Sequence, residues 1–226
     1  MNVRQLFDPE SSTLTYIVAD KNTREAVIID PVLEQYKRDS NLLKELGLVL
    51  KYVLETHTHA DHVTSSSRFR AEFFCGIGVS HVSGVEEPDL ILKEGDEIRF
   101  GTSSLKVLET PGHTIESMCF AGAGAVFTGD TLFVRGCGRT DFQGGSAASL
   151  YQNVHTKLFT MPDSTIVYPG HAYQGIHYST IGEEKKFNPR LAKSEQEFIT
   201  IMENLNLAPP KNIEKAIPAN LKNGVI

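Results

Sequence analysis

Residues Glu55–His62 read ETHTHADH, placing three histidines and an aspartate within six residues, directly after the apolar run LVLKYVL (48–54). A structural protein has little use for so many imidazoles at one strand end, whereas imidazole and carboxylate are ordinary ligands of transition metals. The run before the cluster has the composition of a buried strand, and a helix is expected from about 62 to 73. The cluster therefore falls on a strand-to-helix loop, the kind of place where α/β layers collect ligands.

Working outward, LTYIVAD (14–20) and EAVIID (25–30) flank KNTR and read as a hairpin. Residues 34–46 carry Leu42, Leu43 and Leu46 at helical spacing and stop at Gly47. In the second half, EIRFG and SLKVLET (97–110) read as paired strands before the loop PGHT (111–114). SMCFAGAGAVFTGD reads as two strands turning near 122–124. Residues 146–160 read as a helix, TIVYPGH (165–171) as a strand ending in histidine, and 193–205 as a helix. Both halves run strands, polar loop, helix. That order predicts an α/β protein with two sheets packed face to face and helices outside, an αββα sandwich. A single domain over 1–226 is expected, with the Pro-punctuated residues 206–226 as an extended surface tail.

Four loops follow apolar strands and end in a metal-binding side chain: His57 with its neighbours, His113 in TPGHT, Asp130 in FTGDT and His171 in YPGH. Gly112, Gly129 and Gly170 immediately precede three of them. One histidine at a strand end is most often an ordinary hydrogen-bonded residue, and Asp130 before a threonine suits a turn. Four recurrences, the first with HxHxDH spacing, favour a metal site.

The composition narrows the classes. A formal net charge of −6 argues against a broad nucleic-acid or anionic-membrane surface. The 40% hydrophobic and 22% charged residues are ordinary for a globular domain. Cys75, Cys119 and Cys137 are odd in number and lack CxxC spacing, which fits a reducing compartment. No apolar run nears the roughly 20 residues of a membrane span, and the first residues lack the features of a targeting peptide. Cytoplasmic localisation is the expectation.

THTHADH, TPGHT, TGDTL and YPGH resemble, in order and over nearly the whole chain, the metal motifs of the metallo-β-lactamase superfamily. The resemblance implies an αββα sandwich with its site at one edge of the two sheets. Nuclease members usually add a second domain and basic surfaces, secreted β-lactam hydrolases carry a signal peptide, and flavin-linked di-iron members have Glu where His59 stands. The stretches RQLFDPESSTLTYIVAD (4–20), GRTDFQGG (138–145) and GHAYQGIHYSTIGEEKKFNPRL (170–191) are similar to the persulfide dioxygenases. Glyoxalase II instead has GHEYT, where Ala172 and Gln174 depart from it here.

That resemblance implies oxidation of glutathione persulfide by O2 to sulfite and glutathione, at one Fe(II) per chain held by His57, His113 and Asp130. Two imidazoles and one carboxylate leave positions open for O2 and substrate sulfur. In dinuclear relatives His59 joins the first metal while Asp61, His62 and His171 hold a second. A single iron leaves these four as hydrogen-bonding groups that orient ligands and water. Arg139 is the candidate partner for a glutathione carboxylate, with a salt bridge to Asp141 as the plainer role. Tyr173 stands where glyoxalase II places a glutathione-binding tyrosine, with simple packing as its plainer role. Cys137, between two glycines, is expected to be a small buried residue and no nucleophile. The competing activity is glyoxalase II-type hydrolysis of glutathione thioesters at a dinuclear site. A non-catalytic sensor is disfavoured by the intact ligand set. The family resemblance also implies a homodimer, and the absence of a rhodanese-like segment implies a separate sulfurtransferase to supply persulfide.

Overall fold

Apolar runs bounded by turns form strands here because both of their faces find cover. The computed structural model describes residues 1–210 and 212–226. One sheet holds, in spatial order, β1 (Asn2–Phe7), β2 (Leu14–Ala19), β3 (Glu25–Ile29), β4 (Val49–Leu54), β5 (Gly76–Ser80) and β6 (Leu90–Leu92). Its first three strands are antiparallel, and β3 to β6 run parallel. The other sheet holds β7 (Glu97–Phe100), β8 (Ser103–Glu109), β9 (Met118–Gly122), β10 (Ala125–Gly129), β11 (Ile166–Pro169) and β12 (Ser179–Thr180), also neighbours in sequence order. There β10 and β11 are parallel and the other pairs antiparallel.

Strand β2 is buried at all six positions. Its Leu14, Tyr16 and Val18 join Phe100, Val107, Phe120 and Phe127 of the other sheet in the central core. On its opposite face Ile17 packs with Leu43 of α1 (Tyr36–Glu45) and Phe69 of α2 (Ser66–Phe73). The outer face of the second sheet, with Val126 and Val167, is covered from three helices: Leu150 of α3 (Ala147–Asn153), Ile181 of α4 (Ile181–Phe187) and Phe198 of α5 (Glu195–Glu203). This is the αββα sandwich expected from the sequence. Helix starts are set locally: Ser194 and Glu197 form a capping box, and the side chains of Ser146 and Thr180 accept from Ser149 N and Glu183 N.

Several elements escaped periodicity. β1 is an edge strand with exposed and half-buried positions, and β5, β6 and β12 span only five, three and two residues. The helix expected from about 62 begins at Ser66, because residues 62–65 stay in the ligand loop. The expected helix over 146–160 is α3 followed by a π-helical turn, Val154–Leu158. The tail over 206–226 is not extended throughout: it contains α6 (Ile213–Asn220), with Ala216 and Ala219 packed on Val63 and Leu33. Pro218 lies inside that helix. Proline there removes an N–H donor and disfavours a helix locally, and the tertiary packing of the small residues overrides the signal.

Candidate metal centre

Parallel pairing brings the C-terminal ends of β10 and β11 side by side, and the segment leaving β4 in the facing sheet meets the same edge, where Met118 N donates to Thr56 O at 2.8 Å. His57 leaves β4, Asp130 follows β10 and His171 follows β11, while His113 sits in the loop after β8. The two sheets are stitched together at this edge. Thr13 bridges to His171, and Leu14 N donates to Gly170 O at 2.8 Å.

His57, His113 and Asp130 each offer one donor atom, all within 4.8 Å of one another. The imidazoles are oriented from behind. His113 Nδ1 donates to the carbonyl oxygen of Arg139 at 2.6 Å. The Thr56 hydroxyl donates to Asp30 Oδ2 at 2.8 Å, so it accepts from His57 Nδ1, 3.0 Å away. Both rings therefore carry their proton on Nδ1 and keep the Nε2 lone pair for a metal. Burial, with His59 and His113 alongside, holds the His57 imidazole well below its ordinary range, so the ring is a neutral donor.

Two glycines make the close approach possible. Gly129 has φ +48°, and a Cβ on it would lie 2.5 Å from Thr56 Oγ1. A Cβ on Gly170 would lie 2.6 Å from Asp130 Oδ1. Any side chain at either place would push into the donor set.

The remaining imidazoles have separate surroundings. His171 Nε2 lies 3.4 Å from Asp130 Oδ1 and 3.8 Å from Asp61 Oδ2. Asp61 Oδ2 accepts from Thr13 Oγ1 at 3.1 Å and pairs with His62 Nδ1 at 3.0 Å. Burial alone would raise the Asp61 carboxyl, yet His62, His171 and His59 around it hold it well below the usual range. His59 turns its Nε2 to Asp30 Oδ1 at 3.1 Å and Glu55 Oε2 at 3.2 Å. Burial would depress this imidazole, but the two carboxylates raise it well above its ordinary range.

Do these residues fit a metal ion? Asp130 Oδ1, His62 Nε2 and His59 Nδ1 are buried without a hydrogen-bond partner. Buried polar atoms are nearly always paired. Several orphaned donors converging beside His57 and His113 fit a bound cation.

A cavity of about 490 Å³ opens in front of the cluster, lined by His57, His113, Asp130 and His171 together with Phe133, Tyr173 and Leu207. Tyr173 stacks on His171 with ring centroids 4.9 Å apart. Arg139 is on the wall, but its Nε and Nη2 bind Asp141 at 2.6 and 2.7 Å, and Nη1 donates to Ala208 O at 2.7 Å. The salt bridge, its plainer role, is formed. Arg135 is likewise paired, with Glu183 and Glu184. Arg190 lines the same cavity and has no ion-pair partner among the described residues; its Nη1 reaches only Met202 Sδ, at 3.8 Å. Sequence reasoning missed Arg190, although it lies within the family-like stretch 170–191, and Asp30 and Glu55. Asp30 left one trace, a carboxylate closing the apolar run VII before a proline.

With this geometry established, known proteins can be compared. The model of the metallo-beta-lactamase superfamily matches residues 8–171. The mitochondrial persulfide dioxygenase ETHE1 of Mus musculus is 49% identical over 226 residues, covering 99% of this chain and 89% of that protein. The Homo sapiens protein of the same name is also 49% identical, with the same coverage. The crystal structure of ETHE1 from Myxococcus xanthus superposes with a TM-score of 0.97 at 51% identity, covering 100% of both chains. The chain belongs to the metallo-beta-lactamase superfamily and, within it, to the family of these ETHE1 proteins.

Proposed function

We propose that this protein is a persulfide dioxygenase, an oxidoreductase that converts glutathione persulfide, O2 and water to glutathione, hydrogen sulfite and a proton. Near-half identity to ETHE1 persulfide dioxygenases along the whole chain supports the reaction class. The observation that carries the metal assignment is the triad of His57, His113 and Asp130, with donor atoms within 4.8 Å and both imidazoles pinned through Nδ1. Two neutral imidazoles and one carboxylate are the donor set of mononuclear non-haem Fe(II) oxygenases. Bound there, Fe(II) would supply the redox chemistry that couples O2 to sulfur oxidation.

The chain's own residues supply binding and orientation. Arg190, unpaired on the cavity wall, is the guanidinium available to a glutathione carboxylate. Arg139 keeps one Nη1 N–H beyond its contacts with Asp141 and Ala208, enough for a secondary contact. Phe133 and Tyr173 present apolar faces that shield the sulfur end from water. His171 Nε2 stands 3.4 Å from Asp130 Oδ1, on the side of the carboxylate away from His113.

The single-iron reading rests on the resemblance to the persulfide dioxygenases. In it Asp61, which accepts from Thr13 and pairs with His62, orients water and neighbouring side chains instead of holding a second metal. The buried, unpaired Cys75, Cys119 and Cys137 suit the reducing cytoplasm.

Anaerobic purification, metal counting and an oxygen electrode test the reading. One iron per chain, with prompt O2 uptake and sulfite on adding glutathione persulfide, is expected, and Asp130→Ala should abolish both. Two metals per chain with anaerobic turnover of a glutathione thioester would replace it with the hydrolase.

A further inference from the structure

The described residues after 206 have no part in either sheet, yet they meet the ligand loop at several points. Asn220, buried at the end of α6, spends its whole side-chain amide there. Nδ2 donates to His59 O at 2.8 Å and His62 O at 2.9 Å, and Oδ1 accepts from Thr64 N at 2.8 Å. One side chain thus holds three backbone groups of the loop that carries His57, His59, Asp61 and His62. Asn212, before the same helix, donates from Nδ2 to Asp61 O at 2.7 Å.

The far end of the segment reaches the other ligand loop. Arg139, whose carbonyl orients His113, donates to Ala208 O at 2.7 Å. Leu207 and Ala208 then line the cavity.

We infer that residues 207–210 and 212–224 brace the two ligand loops, with Asn220 the positioning residue that sets the histidine loop for metal binding. A loop as polar as ETHTHADH has few apolar contacts of its own to fix its backbone. Val63, on Ala216 and Ala219, is its buried apolar anchor toward α6. Without the Asn220 amide, two loop carbonyls and one N–H would be buried and unpaired, and the loop would move to satisfy them. Because His57 sits on that loop, with His59, Asp61 and His62 packed around it, a shift of its backbone is read out as lost metal affinity. Asn223 provides an internal comparison: its side chain donates to Glu86 O at 2.7 Å and makes no hydrogen bond to the described residues of the ligand loop.

The test compares Asn220→Ala, Asn212→Ala and Asn223→Ala in the full chain, using Co(II) as a spectroscopic probe that serves whether iron or zinc is resident. Chelator competition gives affinity, the visible spectrum reports ligand geometry, and the melting temperature of the metal-free protein reports the fold. Outer groups that orient ligands commonly matter by roughly ten- to hundred-fold in affinity. A loss of that size is expected for Asn220→Ala with an altered Co(II) spectrum, a smaller loss for Asn212→Ala, and native affinity for Asn223→Ala. Equal losses in Asn220→Ala and Asn223→Ala, or native affinity in the first, would make the segment merely structural. If Asn220→Ala fails to fold, the exposed Asn212→Ala decides: native affinity and spectrum there overturn the proposal. The readout needs no turnover, so it stands apart from the assignment of the reaction.

Discussion

Thr56 donates twice to one carboxylate, from its backbone N to Asp30 Oδ1 at 2.7 Å and from its hydroxyl to Asp30 Oδ2 at 2.8 Å. That pairing decides where the proton of His57 resides, since a hydroxyl whose hydrogen is committed to Asp30 can only accept from the imidazole. Asp30 is not among the residues lining the cavity, yet it selects the tautomer of His57, a proposed metal ligand. Its backbone pays for the position with φ +50°, uncommon for a residue other than glycine.

Asp30→Asn reverses this chain of hydrogen bonds. With the amide carbonyl facing Thr56 N, its NH2 donates to the Thr56 hydroxyl, which then donates to His57 Nδ1. The ring's proton moves to Nε2, the wrong tautomer for ligation. Metal affinity should fall roughly ten- to hundred-fold while the near-isosteric residue leaves the fold in place. Native metal content after dialysis against a chelator would count against the mechanism.

Arg190→Gln tests substrate recognition. Hydrogen bonds to charged groups contribute about 1.5–3 kcal/mol, so KM for glutathione persulfide should rise roughly ten- to hundred-fold with kcat near native. Steady-state O2 uptake measures both. An unchanged KM would return the role to Arg139 and its remaining N–H.

Gly170→Ala places a methyl 2.6 Å from Asp130 Oδ1. Asp130 must turn away, so metal content should drop sharply while the far-ultraviolet circular dichroism stays native. A variant that keeps full metal content would mean that the loop after β11 yields more readily than its packing implies.

Cys137 tests the exclusion of a protein thiolate. Burial pushes its thiol up to about 11. It should resist iodoacetamide at pH 8 in the native protein and react only on unfolding, and Cys137→Ala should retain O2 uptake. Rapid alkylation of the native protein at that site, read by peptide mass spectrometry, would contradict the buried environment.

The strands with continuous apolar runs and the ligand loops were legible because their signals are local. LTYIVAD, EAVIID and LVLKYVL are apolar runs closed by turn residues, and period and composition suffice for them. The short strands β5, β6 and β12 gain their form from neighbours already in the sheet, so nothing in their own few residues announces them. The same holds for α6, where the signal of Pro218 and the packing of Ala216 and Ala219 point opposite ways.

By itself the sequence pointed to one superfamily and to candidate donors after strand ends, imidazoles and carboxylates in an order that fits it. Which nitrogen of each imidazole is free to face a metal, and which arginine of the cavity wall lacks an ion pair among the described residues, only the tertiary structure decided. Those outcomes depend on hydrogen bonds between residues far apart in the chain, such as Thr56 to Asp30, His113 to Arg139 and Asn220 to His59. Residue type tells what a side chain can donate or accept. Only the packed fold determines which partner arrives within hydrogen-bonding distance.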